Sequence, residues 1–200
     1  MSLQLWLIRH ARVLAPEGIC YGASDLAADP DGTLSAAQHA ASLLPQGLPL
    51  YTSPLQRCSA LARQLHKLRP DLKAPQSDNR LVEMNFGQWE GYPWKDIPKT
   101  AFDTWMANFG LHRFGGSEST QEIIARLRHF VQELQQTGIG QAAVICHAGS
   151  IRALHYCATQ GARPIAHARE WPSMPVALGS CLQLSIDSLN IHDRYAQPSS

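Results

Sequence analysis

Residues 3–8, Leu-Gln-Leu-Trp-Leu-Ile, run straight into Arg9-His10. An apolar run of this length reads as a buried strand. Its end delivers a fixed cation and an imidazole side by side. In open α/β sheets, ligands bind just beyond the carboxyl ends of strands. Arginine at such a place points to an anion, phosphate foremost, because its planar fork matches phosphate oxygens. The histidine beside it can serve as nucleophile, acid, base or donor.

The chain repeats this arrangement. Leu48–Thr52 reads as a second short strand leading to Ser53-Pro54 and Arg57, and Ala142–Cys146 as a third ending in His147. Helical spacing of apolar residues predicts helices over Leu34–Leu44, from Ser53-Pro54 to Pro70, Trp94–Phe109, Glu118–Gln136 and Ile151–Thr159. Ser53 reads as an N-cap with Pro54 at the first helical position. Ala15–Thr33, rich in Gly, Pro and Asp, reads as a long loop, Arg80–Glu90 is short and mixed, and Cys181–Ile186 alternates as a last strand. Strands alternating with helices imply an α/β fold with a largely parallel sheet. In such a sheet the three strand ends share one edge, where Arg9, His10, Arg57 and His147 converge. Arg57 falls in the first turn of its helix, where the macrodipole disfavours a cation and a bound anion reverses the penalty. Taken singly, each histidine reads equally well as a hydrogen-bonded structural residue. The Cys146-His147 step does not form a thiol–imidazole pair, because adjacent strand residues point to opposite faces.

Composition limits the partners. The 200 residues are 44% apolar with a formal net charge of +1. These values fit one domain over residues 1–200 with a flexible tail from about 190 to 200. They argue against nucleic acid and acidic membrane surfaces as partners. Five cysteines, with no C-x-x-C pair, read as reduced thiols. Arg9 interrupts the N-terminal apolar run too early for a signal segment, and no stretch has the length of a membrane span. A cytoplasmic location is the expectation. The nine histidines include no H-x-x-x-H or H-E-x-x-H pair. His39, His66 and His129 fall at polar positions of predicted helices and are expected in solvent.

Five ordered blocks resemble the histidine phosphatase superfamily, which includes cofactor-dependent phosphoglycerate mutases. They are Leu7-Ile8-Arg9-His10, the run from Tyr51 to Arg57, the acidic run from Leu81 to Gly91, Gly115-Gly116-Ser117-Glu118-Ser119, and Val144 to Gly149. Within the superfamily, Cys20-Tyr21-Gly22 and the run from Glu83 to Glu90 look most like alpha-ribazole phosphatases, which act in cobalamin biosynthesis. The resemblance implies a three-layer αβα sandwich and a phosphomonoesterase that needs no metal and no other cofactor. Its substrate would be a small-molecule phosphate ester. His10 would be the nucleophile, Arg9, Arg57 and His147 would hold the phosphate, and Glu83 would act as acid and base. Glu83 needs partial desolvation for that role, beside Phe86 and Trp89. Tyr21, Ser24 and Ala148 are expected to line the pocket, and Trp89, Trp94 and Trp105 to stack on a nucleoside-like leaving group or fill a core.

The chain departs from the family pattern at Ala11, Val13, Pro16 and Ala148. A loop needing φ > 0 at Ala11 would cost about 1 kcal/mol. Ala11, Val13 and Pro16 keep an inactive phosphate-ester binding protein in view, and the resemblance itself keeps a phosphoglycerate mutase-type phosphotransferase as an alternative, against which the compact chain argues. The sequence leaves the oligomeric state open.

Overall fold

The computed structural model describes residues 2–187; the expected tail at 190–200 lies outside them. Strand β1 (Leu3–Arg9), helix α1 (Pro30–Leu43), β2 (Leu50–Thr52), α2 (Gln56–Leu68) and β3 (Gln76–Ser77) come first. They are followed by α3 (Lys99–Ala107), α4 (Thr120–Gln136), β4 (Gln141–Cys146), α5 (Ala148–Gln160) and β5 (Cys181–Ile186). The sheet order is β3-β2-β4-β1-β5, parallel except for β5, which runs antiparallel to β1 at the edge.

Alternation along the strands separates two cores. Leu3, Leu5 and Leu7 of β1 join Ala142, Val144 and Cys146 of β4 against the apolar stripes of α4 and α5. Ile8, Ala143 and Ile145 face the other way, onto α1 and α2. This period of two is what a strand buried on both faces demands, and it gives the helix–sheet–helix layering. A third, smaller cluster gathers Cys20, Ile97 and Phe114 with Phe86, Trp94, Phe102 and Trp105.

Several boundaries differ from the sequence expectation, each for a local reason. Helix α1 begins at Pro30, four residues before Leu34, because the Asp29 carboxylate accepts the Gly32 amide and Pro30 presets the first turn. Helix α2 begins at Gln56, not at Ser53-Pro54; its first amide is capped from the long loop by Asp25 at 2.7 Å. The expected Trp94–Phe109 helix is split, because Pro98 holds Ile97 in an extended conformation between a 3₁₀ turn at Trp94–Asp96 and α3. Helix α5 begins at Ala148, three residues before Ile151, with His147 as its N-cap. The untyped segment Arg80–Glu90 is irregular around two 3₁₀ turns, Asn79–Leu81 and Gly87–Trp89. Strand β3 has only two residues, both exposed, too few to show a periodic signal.

Candidate active site

Register places the site. In the parallel ladder Arg9 pairs with Cys146 and Thr52 with Ile145. The next residues, His10 and His147, therefore leave adjacent strands side by side, their ring centroids 5.1 Å apart. Backbone bonds carry the ladder just past the strands, from the His10 amide to Cys146 and from the Ser53 amide to Ile145.

His10 is 2% exposed. Its Nδ1–H donates to the Ala11 carbonyl at 2.7 Å, so Nε2 carries the free lone pair. Burial pushes its pKa down to about 3, with the charges of Arg57 and Arg9 adding to the effect. The ring is neutral at physiological pH. Ala11 fits without strain: among the described residues no non-glycine has positive φ, so the expected cost is not incurred. Val13, buried, bridges to Ala28 and closes the start of the long loop.

Arg57 and His147 are both 0% exposed and stand behind His10. Arg57 Nε donates to His147 Nδ1 at 3.2 Å, and its Nη1 and Nη2 donate to the carbonyls of Ser24 and Gly22, each at 2.6 Å. Each Nη keeps a second N–H. With Nδ1 accepting, His147 carries its proton on Nε2 and donates to Ser53 Oγ at 2.9 Å. Burial, then the Arg57 charge, holds its pKa well below the usual histidine value. Ser53 thus positions His147 and does not cap α2, whose N-terminus Asp25 already serves; no external anion is needed to offset the dipole there. The thiol beside His147 is Cys58, with Sγ 3.5 Å from Nε2. Burial raises both the Cys58 and Cys146 thiols, so neither is a thiolate at neutral pH.

Glu83 is held by two amides, Met84 N–H on Oε1 and Gly149 N–H on Oε2, both at 2.9 Å. The carboxylate therefore rests on the first turn of α5. Position 149 must be glycine-like for this approach: a Cβ there would stand 2.2 Å from Oε1. Of the two aromatics expected beside it, Phe86 lines the same cavity as Glu83, whereas Trp89 packs on Tyr92 and Phe114 and does not line it.

Arg9, His10 and Glu83 open onto one cavity of about 420 Å³. Tyr21, Phe86, Trp94, Trp105, Phe109 and Trp171 supply its aromatic walls, and Ala148, Thr120 and Arg152 complete it. Ser24, expected in the lining, is held away from it: its amide and hydroxyl donate to Glu90 and its carbonyl accepts from Arg57. Of the three tryptophans singled out, Trp94 and Trp105 line the cavity and Trp89 does not. His39 and His129 are exposed, as a polar helix position predicts, whereas His66 is half-buried.

Sequence reading missed Glu90, Thr120, Arg152 and Trp171. Glu90 accepts the amides of Ala23, Ser24 and Phe86 and the Ser24 hydroxyl, and so ties the long loop to the acidic block. Gly22 allows that approach, because a Cβ would stand 2.4 Å from the Met84 carbonyl and 2.5 Å from Glu90. The glycine-rich block has a similar task. Gly115, at φ 80°, packs so tightly on Phe86 that a Cβ would meet its carbonyl at 1.8 Å. Ser119 forms a capping box with Glu122 at the start of α4. Arg152 lies four residues from Ala148, a helical spacing visible in sequence only once α5 is known to begin there.

The model of the histidine phosphatase superfamily (branch 1) matches residues 5–188. Phosphoserine phosphatase 1 of Hydrogenobacter thermophilus is 27% identical over 165 residues, 80% of this chain and 77% of that protein. A second protein of that organism, provisionally named phosphoserine phosphatase 2, is 29% identical over 158 residues, 76% of each. A solved mycobacterial glucosyl-3-phosphoglycerate phosphatase superposes with a TM-score of 0.75 at 24% identity, over 92% of this chain and 91% of the other.

Proposed function

The chain belongs to the histidine phosphatase superfamily and is a phosphatase, and on that premise we propose that it hydrolyses a small phosphate monoester through a phosphohistidine on His10. One observation carries this reading. A buried, neutral imidazole lines a cavity together with Arg9, with the buried Arg57 behind it, and neither arginine has a carboxylate partner among the described residues. Arg69, Arg80 and Arg126 each meet a carboxylate, whereas Arg128, also buried, does not. Arg57 is fully buried, a buried cation without a counter-ion is costly, and a phosphate dianion would supply the missing charge.

In the first step His10 Nε2 attacks phosphorus in line. The N–P bond forms, the ester P–O bond breaks, and Glu83 gives its proton to the leaving oxygen. In the second step Glu83 takes a proton from water, whose oxygen attacks phosphorus and releases phosphate from His10. Charge spreads over the equatorial oxygens in both transition states, and the pre-placed guanidiniums stabilise it. His147 orients Arg57 through Nδ1 while Ser53 fixes its tautomer. The scheme uses no metal or other cofactor.

Two leaving groups have support. The flat aromatic walls suit a nucleoside-like group, as in alpha-ribazole 5′-phosphate, which the acidic block's resemblance singles out. The names of the relatives, phosphoserine and glucosyl-3-phosphoglycerate phosphatases, favour phosphorylated hydroxy acids. Hydrolysis of a panel holding both kinds, by wild type and His10→Ala, tests the mechanism and ranks the substrates. Wild type should release phosphate and give an acid-labile, alkali-stable phosphoenzyme. His10→Ala should lose turnover by roughly 10⁴-fold or more, as removal of a nucleophile does. Undiminished turnover in that variant overturns the reading, and transfer between phosphoglycerates without phosphate release assigns a mutase instead.

A further inference from the structure

We infer that Glu118 and Arg126 are positioning residues for Glu83: their ion pair grips the backbone on both sides of it and so fixes its carboxyl against the leaving oxygen. The inference rests on the reading above, in which Glu83 is the acid and base.

Glu83 lies in an irregular stretch between two 3₁₀ turns. Such a stretch has no ladder or helix to satisfy its backbone groups, so side chains must. Arg126, on α4, meets two of them. Its Nη1 donates to the Arg80 carbonyl, and its Nη2 to the carbonyl of Glu83 itself at 3.2 Å. Nε and Nη2 also fork onto the Glu118 carboxylate, at 2.6 and 3.1 Å. Glu118 Oε2 in turn accepts the Asn85 amide at 3.0 Å. One bidentate pair thus fixes Arg80, Glu83 and Asn85. Helix α5 holds the same stretch through Ser150, whose Oγ donates to the Val82 carbonyl at 3.0 Å, and through the Gly149 amide on the Glu83 carboxylate.

Close backbone contact brings Glu118 to this place. It follows Gly115-Gly116, and the glycine-rich and acidic blocks touch main chain to main chain. A Cβ on Gly87 would stand 2.1 Å from the Gly115 carbonyl, and one on Gly115 1.8 Å from the Phe86 carbonyl. Glu118 reaches Asn85 across that seam. The pair is also sheltered. Its side chains are 21% and 15% exposed, whereas every other ion pair among the described residues has one side chain at 29% or more. Bidentate, charge-assisted bonds add geometric specificity as well as energy. Neither residue lines the cavity that holds His10; both line a separate outer groove, which Glu83 also lines. Their influence on the reaction therefore runs through Glu83.

Leaving groups of different acidity test this role. An alkyl phosphate needs its leaving oxygen protonated, whereas 4-nitrophenyl phosphate releases a stable anion and does not. The two are compared by kcat/KM, which covers the steps up to release of the leaving group, and their ratio is independent of how much of the enzyme is folded. Misplacing a reacting group by about 1 Å costs on the order of 100-fold. Arg126→Met should therefore lower kcat/KM for the best alkyl ester of the panel roughly 10- to 100-fold, and for 4-nitrophenyl phosphate less than about 3-fold. Glu118→Gln should act in the same direction to a smaller degree, and Arg126→Lys should restore part of the ratio. With 4-nitrophenyl phosphate, Arg126→Met should also lose kcat and KM together and accumulate phosphoenzyme, because Glu83 is still needed to activate water. Equal losses for both esters, or none, overturn the positioning role. Glu83→Gln separates the two ways of failing. A selective loss there beside an unselective Arg126→Met refutes only the positioning, whereas an unselective Glu83→Gln refutes the acid itself and the inference with it.

Discussion

Arg57 and Arg152 both stand near the start of a helix that follows a parallel strand, and their guanidiniums are held in opposite ways. Arg57 is fully buried, with Nε on His147 and both Nη groups on carbonyls of the long loop. Arg152 is half-buried, with one long bond to a carbonyl. The phosphate end of the cavity is a rigid polar lattice whose donors are aimed before substrate arrives. The other end is aromatic and carries unengaged donors. Preorganised dipoles stabilise a transition state without reorganising, whereas specificity is set by groups that a given leaving group satisfies or leaves unpaired.

The comparison can be broken most forcefully at the boundary between the two ends, where Glu83 rests on Gly149. Glu83→Gln should lower kcat by about 10²- to 10⁴-fold, the usual weight of general acid–base catalysis. Gly149→Ala should approach that loss with little change in Tm, because its Cβ would displace a flexible carboxylate and no backbone. A Gly149→Ala enzyme of normal kcat would show that the seating of Glu83 is unimportant.

Arg57→Lys should cost roughly 100-fold in kcat/KM for every ester, since one ammonium cannot hold His147 and the loop and also fork a phosphate. A loss confined to one leaving group would move Arg57 to the specificity end. Glu90→Gln tests the lattice one layer out. It weakens a carboxylate that holds three amides and a hydroxyl, and denaturant unfolding should show about 1–3 kcal/mol of lost stability.

Acid tests the buried histidines. The folded-state pKa of His10, about 3, lies below its ordinary value of 6.5. The unfolded chain therefore binds more protons between these values, and stability falls as pH drops from about 6.5 towards 3. His147 adds in the same direction. Tm should decline across that window, and His10→Asn should make the decline shallower; a Tm independent of pH from 7 to 4 would contradict a neutral buried pair. The smallest effect is expected at the outer wall, where Trp171→Ala should raise KM a few-fold for bulky esters and less for small ones, in keeping with lost apolar contact.

The reaction end was legible because its residues sit at strand ends and in short blocks. Arg9-His10 follows an apolar run, His147 another, and Arg57 lies five residues past a third. The placement of Glu83 came only through the resemblance, since an isolated glutamate in an irregular segment reads as a surface residue. Glu90 escaped notice for the same reason. Ser53 was misread because serine followed by proline satisfies the helix-start rule, while its hydroxyl is drawn to a histidine 94 positions away. Arg152 and Trp171 carried no local signal, because a helix and a distant loop share a cavity wall only once the chain has packed.

By itself the sequence determined the alternation of strands and helices, the parallel sheet, and the gathering of two arginines and two histidines on one edge, because these follow from periodicity and from the direction of the chain. Only the tertiary structure decided which donors are engaged and which are free. It gave Arg57 to the loop and His147 to Ser53, set Glu83 on Gly149, and left Arg152 lining the cavity with one long hydrogen bond. Hydrogen bonds between residues far apart in sequence depend on packing in three dimensions, and no local pattern encodes them.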